Sequence, residues 1–230
     1  MPSPNQFNLP RKLIAEALGT GLLVAAVVGS GIMGEQLAEG NVALALLANT
    51  IATGAALVVL ILIFAPISGA HFNPVVSLSF ALQGKMRWSE VLAYVAVQVF
   101  GAIAGTVMAH LMFDLPLIAA STHERTGLGM WTGEIVASFG LLATILGCLR
   151  NRPEAIPYAV GLFITSAYWF TSSTSFANPA VTIARSLTDT FSGIRPDDVG
   201  GFIVAQIIGA LLATRLFIWL YAEQIVARKR

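Results

Sequence analysis

The chain has 230 residues, of which 56% are hydrophobic and only 11% are charged, whereas an ordinary soluble domain is roughly 25% charged. Its 13 basic and 12 acidic side chains are too few to cover a soluble globule, and the mean hydropathy of +0.78 agrees. The net charge of +1 excludes a basic nucleic-acid-binding face, and the single Cys148 excludes a disulfide framework. These values indicate a protein that is solvated by lipid.

Apolar windows predict six membrane-spanning helices, since one span needs about 20 apolar residues. Three windows contain no acidic residue, lysine or arginine, and three others contain a single charged residue each: Glu16, Glu134 or Arg215. The fifth window is too long for one span, so we expect a helix followed by a re-entrant segment. The windows in chain order are 13–34, 42–65, 91–113, 131–149, 155–184 and 199–221.

Two apolar segments, 73–82 and 178–187, are too short to cross the bilayer. Each would be about 15 Å long as a helix. Such segments are tolerated at membrane depth only where they line a cavity or are buried in protein. They predict two re-entrant half-helices beside a cavity.

The basic residues of the loops predict the orientation of the chain, because cytoplasmic loops carry an excess of lysine and arginine. With both termini in the cytoplasm, most of the 13 basic residues fall on that side and most acidic residues fall on the other. We therefore expect a multi-pass protein of the plasma (inner) membrane with both termini cytoplasmic. The residues on the cytoplasmic side are Arg11, Lys12, Lys85, Arg87, Arg150, Arg152, Arg228, Lys229 and Arg230.

The two halves of the chain share three features in the same order: a glutamate in the first span, an Asn-Pro pair, and a glutamine three residues before Gly-Ala. Each half has three spans, an odd number, so the second half must enter the bilayer from the opposite side. We predict a single transmembrane domain over 1–230, built from inverted repeats of approximately 11–115 and 129–224 that share a site near the midplane. The matching residues are Glu16, Asn73-Pro74 and Gln98, then Glu134, Asn178-Pro179 and Gln206.

The Asn-Pro pairs predict what this site can do. Asparagine is a preferred N-cap and proline a preferred first helical residue, so each half-helix begins at Asn73 or Asn178. Two opposed starts would place two positive helix ends and two amide groups at one point, with each NH2 facing the cavity. Neutral hydroxylic solutes can bind such donors, whereas a cation meets no countercharge. A single Asn-Pro pair would only indicate a turn, but two matched copies favour passive conduction of neutral molecules.

The run 68–76 (Ser-Gly-Ala-His-Phe-Asn-Pro-Val-Val) and the triplet 178–180 (Asn-Pro-Ala) resemble the paired signature motifs of the aquaporin superfamily. Nearly the whole chain resembles that family. The resemblance implies an all-α membrane protein with an aquaporin-like inverted repeat, six transmembrane helices and two re-entrant half-helices. It also implies a homotetramer with one pore per subunit, conducting water and small neutral solutes without a cofactor.

The resemblance also implies which residues line the pore. Val75 stands where the family usually has alanine. The implied midplane residues are Asn73, Pro74, Val75, Asn178, Pro179 and Ala180, and the implied pore-lining loop residues are Gly69, Ala70, His71, Phe72, Phe176 and Ala177.

A second departure concerns the selectivity filter. Most aquaporins have an arginine directly after the second Asn-Pro-Ala, and this chain has Val181. By similarity, the other filter positions are Thr53, Ser175 and either Tyr168 or Ser166, and we favour Tyr168. Such a filter should be wider and less polar than a water-selective one. It resembles that of bacterial aquaglyceroporin-like channels associated with arsenic handling, which implies glycerol-like polyols, urea or metalloid hydroxides such as arsenous acid. A water-selective channel is the alternative.

Arg185 has two interpretations. It lies four residues after Val181 and therefore on the same helical face. Its guanidinium could occupy the outer vestibule as a displaced substitute for the missing arginine. Alternatively, it is a surface residue paired with Asp189.

Two buried acids and a histidine need explanation, since polar groups inside a membrane require partners. For Glu16 and Glu134 we favour a structural role, in which each accepts hydrogen bonds from the loop before Asn73 or Asn178. A proton relay is the alternative. His71 could gate the pore by protonation, or contribute only its backbone carbonyl.

Catalytic and transporter functions find little support. The sequence contains no catalytic constellation and no metal-ligand spacing, so we expect neither an enzyme nor a metal site. Inverted repeats also build proton-coupled secondary transporters. Here the two predicted half-helix starts carry amides and no acid, which favours a channel.

Overall fold

The computed structural model describes residues 7–222, which fold as helices joined by loops, with no strand among them. The basic cluster Arg228, Lys229 and Arg230 and the last two residues of the second predicted repeat lie outside the described residues. The helices are α1 (Leu9–Leu37), α2 (Val42–Ser68), α3 (Pro74–Leu82), α4 (Trp88–Met112), α5 (Leu128–Asn151), α6 (Ile156–Phe170), α7 (Pro179–Arg185) and α8 (Val199–Leu220).

Six of these helices are the spans and two are the half-helices, as the sequence predicts. Five of them, α1, α2, α4, α5 and α8, are long and apolar enough to cross a membrane. The remaining span, α6, is shorter: it has 15 residues and is preceded by a 3-10 turn at Pro153–Ala155. The half-helices α3 and α7 have 9 and 7 residues.

Large apolar side chains are exposed on the outward faces of the spans. In a soluble protein an exposed apolar surface of this extent would be a liability, whereas in lipid it is the expected exterior. Examples are Leu18, Leu22, Leu62, Phe100, Leu162 and Leu212.

Small residues set how closely the spans pack. A Cβ on Gly101 of α4 would strike the backbone carbonyl of Ala17 in α1, and a Cβ on Gly209 of α8 would strike that of Ile135 in α5. These two pairs are α1 with α4 and α5 with α8, one in each half of the chain. Glycine is therefore required where two helix backbones approach closely.

The α4–α5 loop, residues 113–127, lies along the segment 186–198 between α7 and α8. Ala119 N–H donates to the Leu187 carbonyl at 3.0 Å, and Ser121 N–H donates to the Ser186 carbonyl at 3.0 Å. Such pairing satisfies backbone groups that would otherwise be buried without partners. The two loops thereby form one covering layer beside the C-terminal end of α7.

We expect Gly209→Ala to destabilise the protein, because its methyl group would overlap the Ile135 carbonyl. Overpacking of this kind costs about 1–3 kcal/mol. Gly200→Ala in the same helix is the matched control, since nothing lies within 4 Å of its added methyl group. Thermal unfolding in detergent should show a lower melting temperature for Gly209→Ala and not for Gly200→Ala. Equal melting temperatures would contradict this packing.

The contact between the two loops should depend on pH. Thr122 donates to Asp189 Oδ1 from its backbone N–H at 2.8 Å and from its hydroxyl at 2.9 Å, and these hydrogen bonds lower the pKa of the Asp189 carboxyl. A folded-state pKa below the unfolded one gives stabilisation that is present above about pH 4 and is lost as the pH falls through the folded pKa. Protection of the Thr122 amide from hydrogen exchange should therefore decrease on acidification.

Asp189→Asn provides the control for this exchange measurement, because asparagine does not titrate. The pH-dependent part of the protection, after correction for the intrinsic exchange rate, should disappear in the variant. A variant that retains the wild-type pH dependence would show that another group controls the loop.

Candidate functional site

The site is built around the starts of the two half-helices. Asn73 caps α3, its Oδ1 accepting from Val75 N–H at 3.0 Å. Asn178 caps α7, its Oδ1 accepting from the N–H groups of Ala180 at 3.0 Å and Val181 at 3.3 Å. Each asparagine therefore satisfies donors that the first helical turn leaves unpaired.

The two asparagines also bond across the site to each other's loop. Asn73 Nδ2 donates to the Ala177 carbonyl at 2.7 Å, and Asn178 Nδ2 donates to the Phe72 carbonyl at 2.8 Å. An amide NH2 has two hydrogens, so one N–H of each asparagine remains for the cavity. The expectation that the whole NH2 group faces the cavity was therefore wrong, because each buried loop carbonyl takes one of its donors.

The loops before the two asparagines have the same unusual backbone. Ala70 and Phe72 have φ of +50°, and Ser175 and Ala177 have φ of +51° and +48°. These residues stand three positions and one position before the respective asparagine. A non-glycine residue in the left-handed region costs of order 1 kcal/mol, so the surrounding structure must hold each loop.

Glu16 holds the first loop. Its carboxylate accepts from the N–H groups of His71 at 2.9 Å and Phe72 at 2.7 Å, from the Ser68 hydroxyl at 2.6 Å and from Gln98 Nε2 at 2.8 Å. Four donors and no acceptor suit an ionised carboxylate. Both carboxylate oxygens are therefore used to fix the loop.

Glu134 holds the second loop in the same way. Its carboxylate accepts from the N–H groups of Phe176 at 2.9 Å and Ala177 at 2.8 Å, and from Gln206 Nε2 at 2.6 Å. Both glutamates are fully buried, and neither borders the cavity described below. This arrangement favours the structural role over a proton relay.

Two hydroxyl residues extend these networks and were missed in the sequence. Gln98 Nε2 also bonds to Ser77 Oγ at 3.2 Å, and Gln206 Nε2 also bonds to Thr182 Oγ1 at 2.8 Å. Each hydroxyl lies four residues after its asparagine. Comparison of the two predicted repeats could have identified them, because both positions carry a small hydroxyl side chain.

A single cavity of about 690 Å3 runs past both asparagines. Pro153 and Glu154 border one end, and Ser175 and Arg185 border the other. Most of its wall is aliphatic, so a solute inside finds polar partners only at a few places. The aliphatic residues include Leu23, Val27, Leu57, Ile61, Val76, Leu141, Ile145, Val160 and Ile164.

The predicted loop residues border this cavity, but four predicted midplane residues do not. The four are buried in the first turns of α3 and α7, where they pack against neighbouring helices and leave the asparagines to face the cavity. They are Pro74, Val75, Pro179 and Ala180. The bordering loop residues are Gly69, Ala70, His71, Phe72, Phe176 and Ala177.

The four predicted filter residues border the cavity near its Arg185 end. The hydroxyls of Thr53 and Tyr168 lie 3.3 Å apart. Ser175 has a buried hydroxyl without a hydrogen-bond partner among the described residues, and Val181 contributes an apolar side chain. Ser166, the alternative to Tyr168, is exposed and bonds to the backbone of its own helix.

Arg185 is buried and not at the surface. Its guanidinium carbon lies 3.4 Å from the centre of the Phe176 ring, and its Nε donates to the Ser192 carbonyl. Asp189 bonds to Thr122 instead, and the described residues contain no Arg185–Asp189 ion pair. The surface pairing was therefore wrong, because the α7 helix turns Arg185 toward the cavity.

The His71 ring is packed on several sides. Its Nδ1 lies 3.0 Å from Ser77 Oγ, and its ring centre lies 4.5 Å from that of Phe80 and 5.4 Å from that of Tyr94. Movement of the ring would break these contacts. The packing favours a fixed His71 over a gate.

Sequence reasoning missed Arg125, a residue of the α4–α5 loop that contacts the cavity-lining Phe176. It donates from Nε to the Gly193 carbonyl at 2.7 Å and lies 5.1 Å from the centre of the Phe176 ring. Burial lowers the pKa of its guanidinium, and nearby Glu134 opposes this effect. No motif in the sequence marks this loop residue.

We expect Glu134→Gln to destabilise the site although it preserves side-chain shape. One acceptor oxygen becomes an NH2 group that faces N–H donors, and the loss of charge-assisted hydrogen bonds costs of order 3 kcal/mol. Glu90→Gln is the control, because Glu90 is only partly buried and pairs with the exposed Arg87, and a salt bridge with an exposed partner contributes about 0–1 kcal/mol. Thermal unfolding should separate the two variants, and a wild-type melting temperature for Glu134→Gln would contradict the role of this carboxylate.

Comparison with known proteins agrees with this geometry. Residues 4–154 match the model of the major intrinsic protein family. The chain is 62% identical to Aquaglyceroporin AqpS of Rhizobium meliloti over 94% of this chain and 92% of the relative. It is 28% identical to Aquaporin NIP2-2 of Zea mays over 96% of this chain and 75% of the relative.

A solved structure shares the fold. The X-ray structure of the aquaglyceroporin from Plasmodium falciparum matches with a TM-score of 0.73 and 21% identity, over 93% of this chain and 96% of that one. The chain therefore belongs to the major intrinsic protein family, and it is a multi-pass membrane channel for water and small solutes, not an enzyme.

Proposed function

We propose that this channel conducts glycerol-like polyols and metalloid hydroxides such as arsenous acid as well as water. The observation that carries the proposal is that Val181, and not a cation, follows the second Asn-Pro-Ala. Arg185, one turn further on, stacks on Phe176. The proposed filter of Thr53, Tyr168, Ser175 and Val181 therefore contains no charged side chain.

The cavity wall suits solutes that are partly apolar. A polyol can place its CH groups against the aliphatic wall and its hydroxyls toward Thr53, Tyr168, Ser175 and the asparagine amides. Arsenous acid presents three hydroxyls and is neutral near pH 7, so it needs no countercharge. The cavity contains few polar groups, which favours such solutes over ions.

Relatives support the glycerol part of this proposal. The Rhizobium meliloti relative, which is 62% identical, carries the name aquaglyceroporin. A water-selective channel is the alternative, and it would require Tyr168 or Arg185 to narrow the cavity. A proton-coupled transporter finds less support, because Glu16 and Glu134 are occupied by hydrogen bonds and do not border the cavity.

For the site, we assign Arg185 to the outer vestibule and Glu16 and Glu134 to the support of the two loops. Tyr168 is preferred to Ser166 as the filter residue, since its hydroxyl is next to that of Thr53. The asparagine amides form the midplane part of the site.

We further infer one channel domain made of two inverted repeats, approximately 11–115 and 129–224. The matched carboxylate contacts and the matched positive φ values before Asn73 and Asn178 support this duplication. A homotetramer in the plasma (inner) membrane, with both termini cytoplasmic, completes the proposal. Its support is the family resemblance and the basic loops after α3 and α5.

The test is stopped-flow light scattering of proteoliposomes in an inward glycerol gradient. Wild-type vesicles should shrink as water leaves and then reswell rapidly as glycerol enters. Val181→Arg should reduce the reswelling rate by about tenfold or more, since a guanidinium would enter the proposed filter and replace an apolar wall. Water efflux should fall less.

Val181→Met is the matched control, because methionine adds length without charge. It should retain more glycerol flux than the arginine variant. Wild-type vesicles that shrink without reswelling would contradict polyol conduction. Unchanged glycerol flux in Val181→Arg would contradict the filter assignment.

A further inference from the structure

Arg125 joins the α4–α5 loop to the backbone beside the cavity. Its Nε donates to the Gly193 carbonyl at 2.7 Å and its Nη1 donates to the Ser173 carbonyl at 3.4 Å. The planar fork of an arginine can reach two acceptors in this way, and a lysine cannot. Among residues 7–222 this guanidinium forms no ion pair with a carboxylate; it contacts two carbonyls and an aromatic ring, and the nearby charged groups are Glu134 and Arg185.

That ring, Phe176, lies beside two guanidinium groups. The guanidinium carbon of Arg185 is 3.4 Å from the ring centre, and that of Arg125 is 5.1 Å away. Phe202 packs edge-on against the same ring at 5.1 Å. Cations at these distances from a ring centre are attracted to it, so Arg125 and Arg185 act on one shared side chain.

The backbone of Arg125 is held as firmly as its side chain. Its N–H donates to Asp198 Oδ2 at 2.8 Å, and the other oxygen of this buried carboxylate accepts from Arg195 at 3.0 Å. Arg195 N–H in turn donates to the His123 carbonyl at 2.7 Å. These bonds fix Arg125 relative to the segment between α7 and α8.

We propose that Arg125 is a positioning residue for solute selection, which holds Phe176 and, through that ring, the guanidinium of Arg185 at the end of the cavity. Arg185 and Phe176 both border the cavity, and Arg125 does not. The width of the cavity at this end therefore depends on a side chain that no solute touches. This inference rests on the proposed conduction of polyols.

Loss of Arg125 should widen the range of solutes that enter. Without it, Phe176 loses one of its ring contacts and Ser173 and Gly193 lose their donor. The ring and the stacked Arg185 then sample more rotamers, which lets a longer polyol pass. Discrimination between short and long polyols should fall, and water flux should change little.

The experiment compares glycerol with xylitol, a five-carbon polyol, in stopped-flow reswelling of proteoliposomes. Arg125→Met should lower the glycerol-to-xylitol permeability ratio by about threefold, the size expected when one cation–aromatic contact is lost. Arg125→Lys should lie between Arg125→Met and wild type. Arg11→Met, the same change at an exposed arginine of α1, is the matched control and should retain the wild-type ratio.

A double-mutant cycle tests whether Arg125 acts through the ring. Phe176→Leu should lower the same permeability ratio, and adding Arg125→Met to it should have little further effect, because the shared contact is already gone. Additive effects would overturn the proposal. A residue that only stabilised the fold would reduce glycerol and xylitol flux together and leave their ratio unchanged.

The outcomes separate this inference from the proposed function. If the wild-type channel does not conduct glycerol, the proposed function fails. If it conducts glycerol and Arg125→Met keeps the wild-type ratio, the role of Arg125 is overturned. If Arg125→Met does not reach the vesicles, Arg125→Lys decides: a lowered ratio supports the proposal, and a wild-type ratio overturns it.

Discussion

Two buried carboxylates make the rest of this architecture possible. The two loops that precede the half-helices place non-glycine residues in the left-handed region at membrane depth, where unpaired N–H groups would cost several kcal/mol each. Glu16 accepts from the N–H groups of His71 and Phe72, and Glu134 accepts from those of Phe176 and Ala177. Gln98 and Gln206 connect these carboxylates to hydroxyls of the half-helices. With the loops fixed, their carbonyls can accept from the opposite asparagine. The junction of the half-helices therefore depends on two carboxyl groups that do not border the cavity, where they would contact a permeating solute.

The junction and the wall together explain why the protein conducts neutral molecules. Opposed half-helices direct two positive ends at the same region, and each asparagine keeps one N–H for a solute after bonding across to Phe72 or Ala177. Away from this point, aliphatic side chains form most of the wall. A cation entering the cavity loses hydration and gains little in return. A neutral hydroxylic solute loses less hydration free energy, and it finds the asparagine N–H donors at the junction of the half-helices.

The fold could be predicted largely from the sequence because hydrophobic length and the Asn-Pro pair are local signals. The half-helices begin at Asn73 and Asn178 as predicted. Contacts between distant segments were harder to anticipate. Helical spacing allowed Arg185 to face either the cavity or Asp189. In the structure it packs against Phe176 and borders the cavity. Arg125 could not be identified at all, since its contacts arise from how two loops pack together and no local pattern encodes them.

The central claim is that the junction of the half-helices passes neutral solutes and excludes charge. The most direct measurement follows glycerol entry and proton movement in the same proteoliposomes, with light scattering for volume and an enclosed pH-sensitive dye, under imposed glycerol and pH gradients. We expect glycerol entry above that of empty vesicles, with a proton leak no greater than in those vesicles. A proton leak that rises with the amount of protein would contradict it.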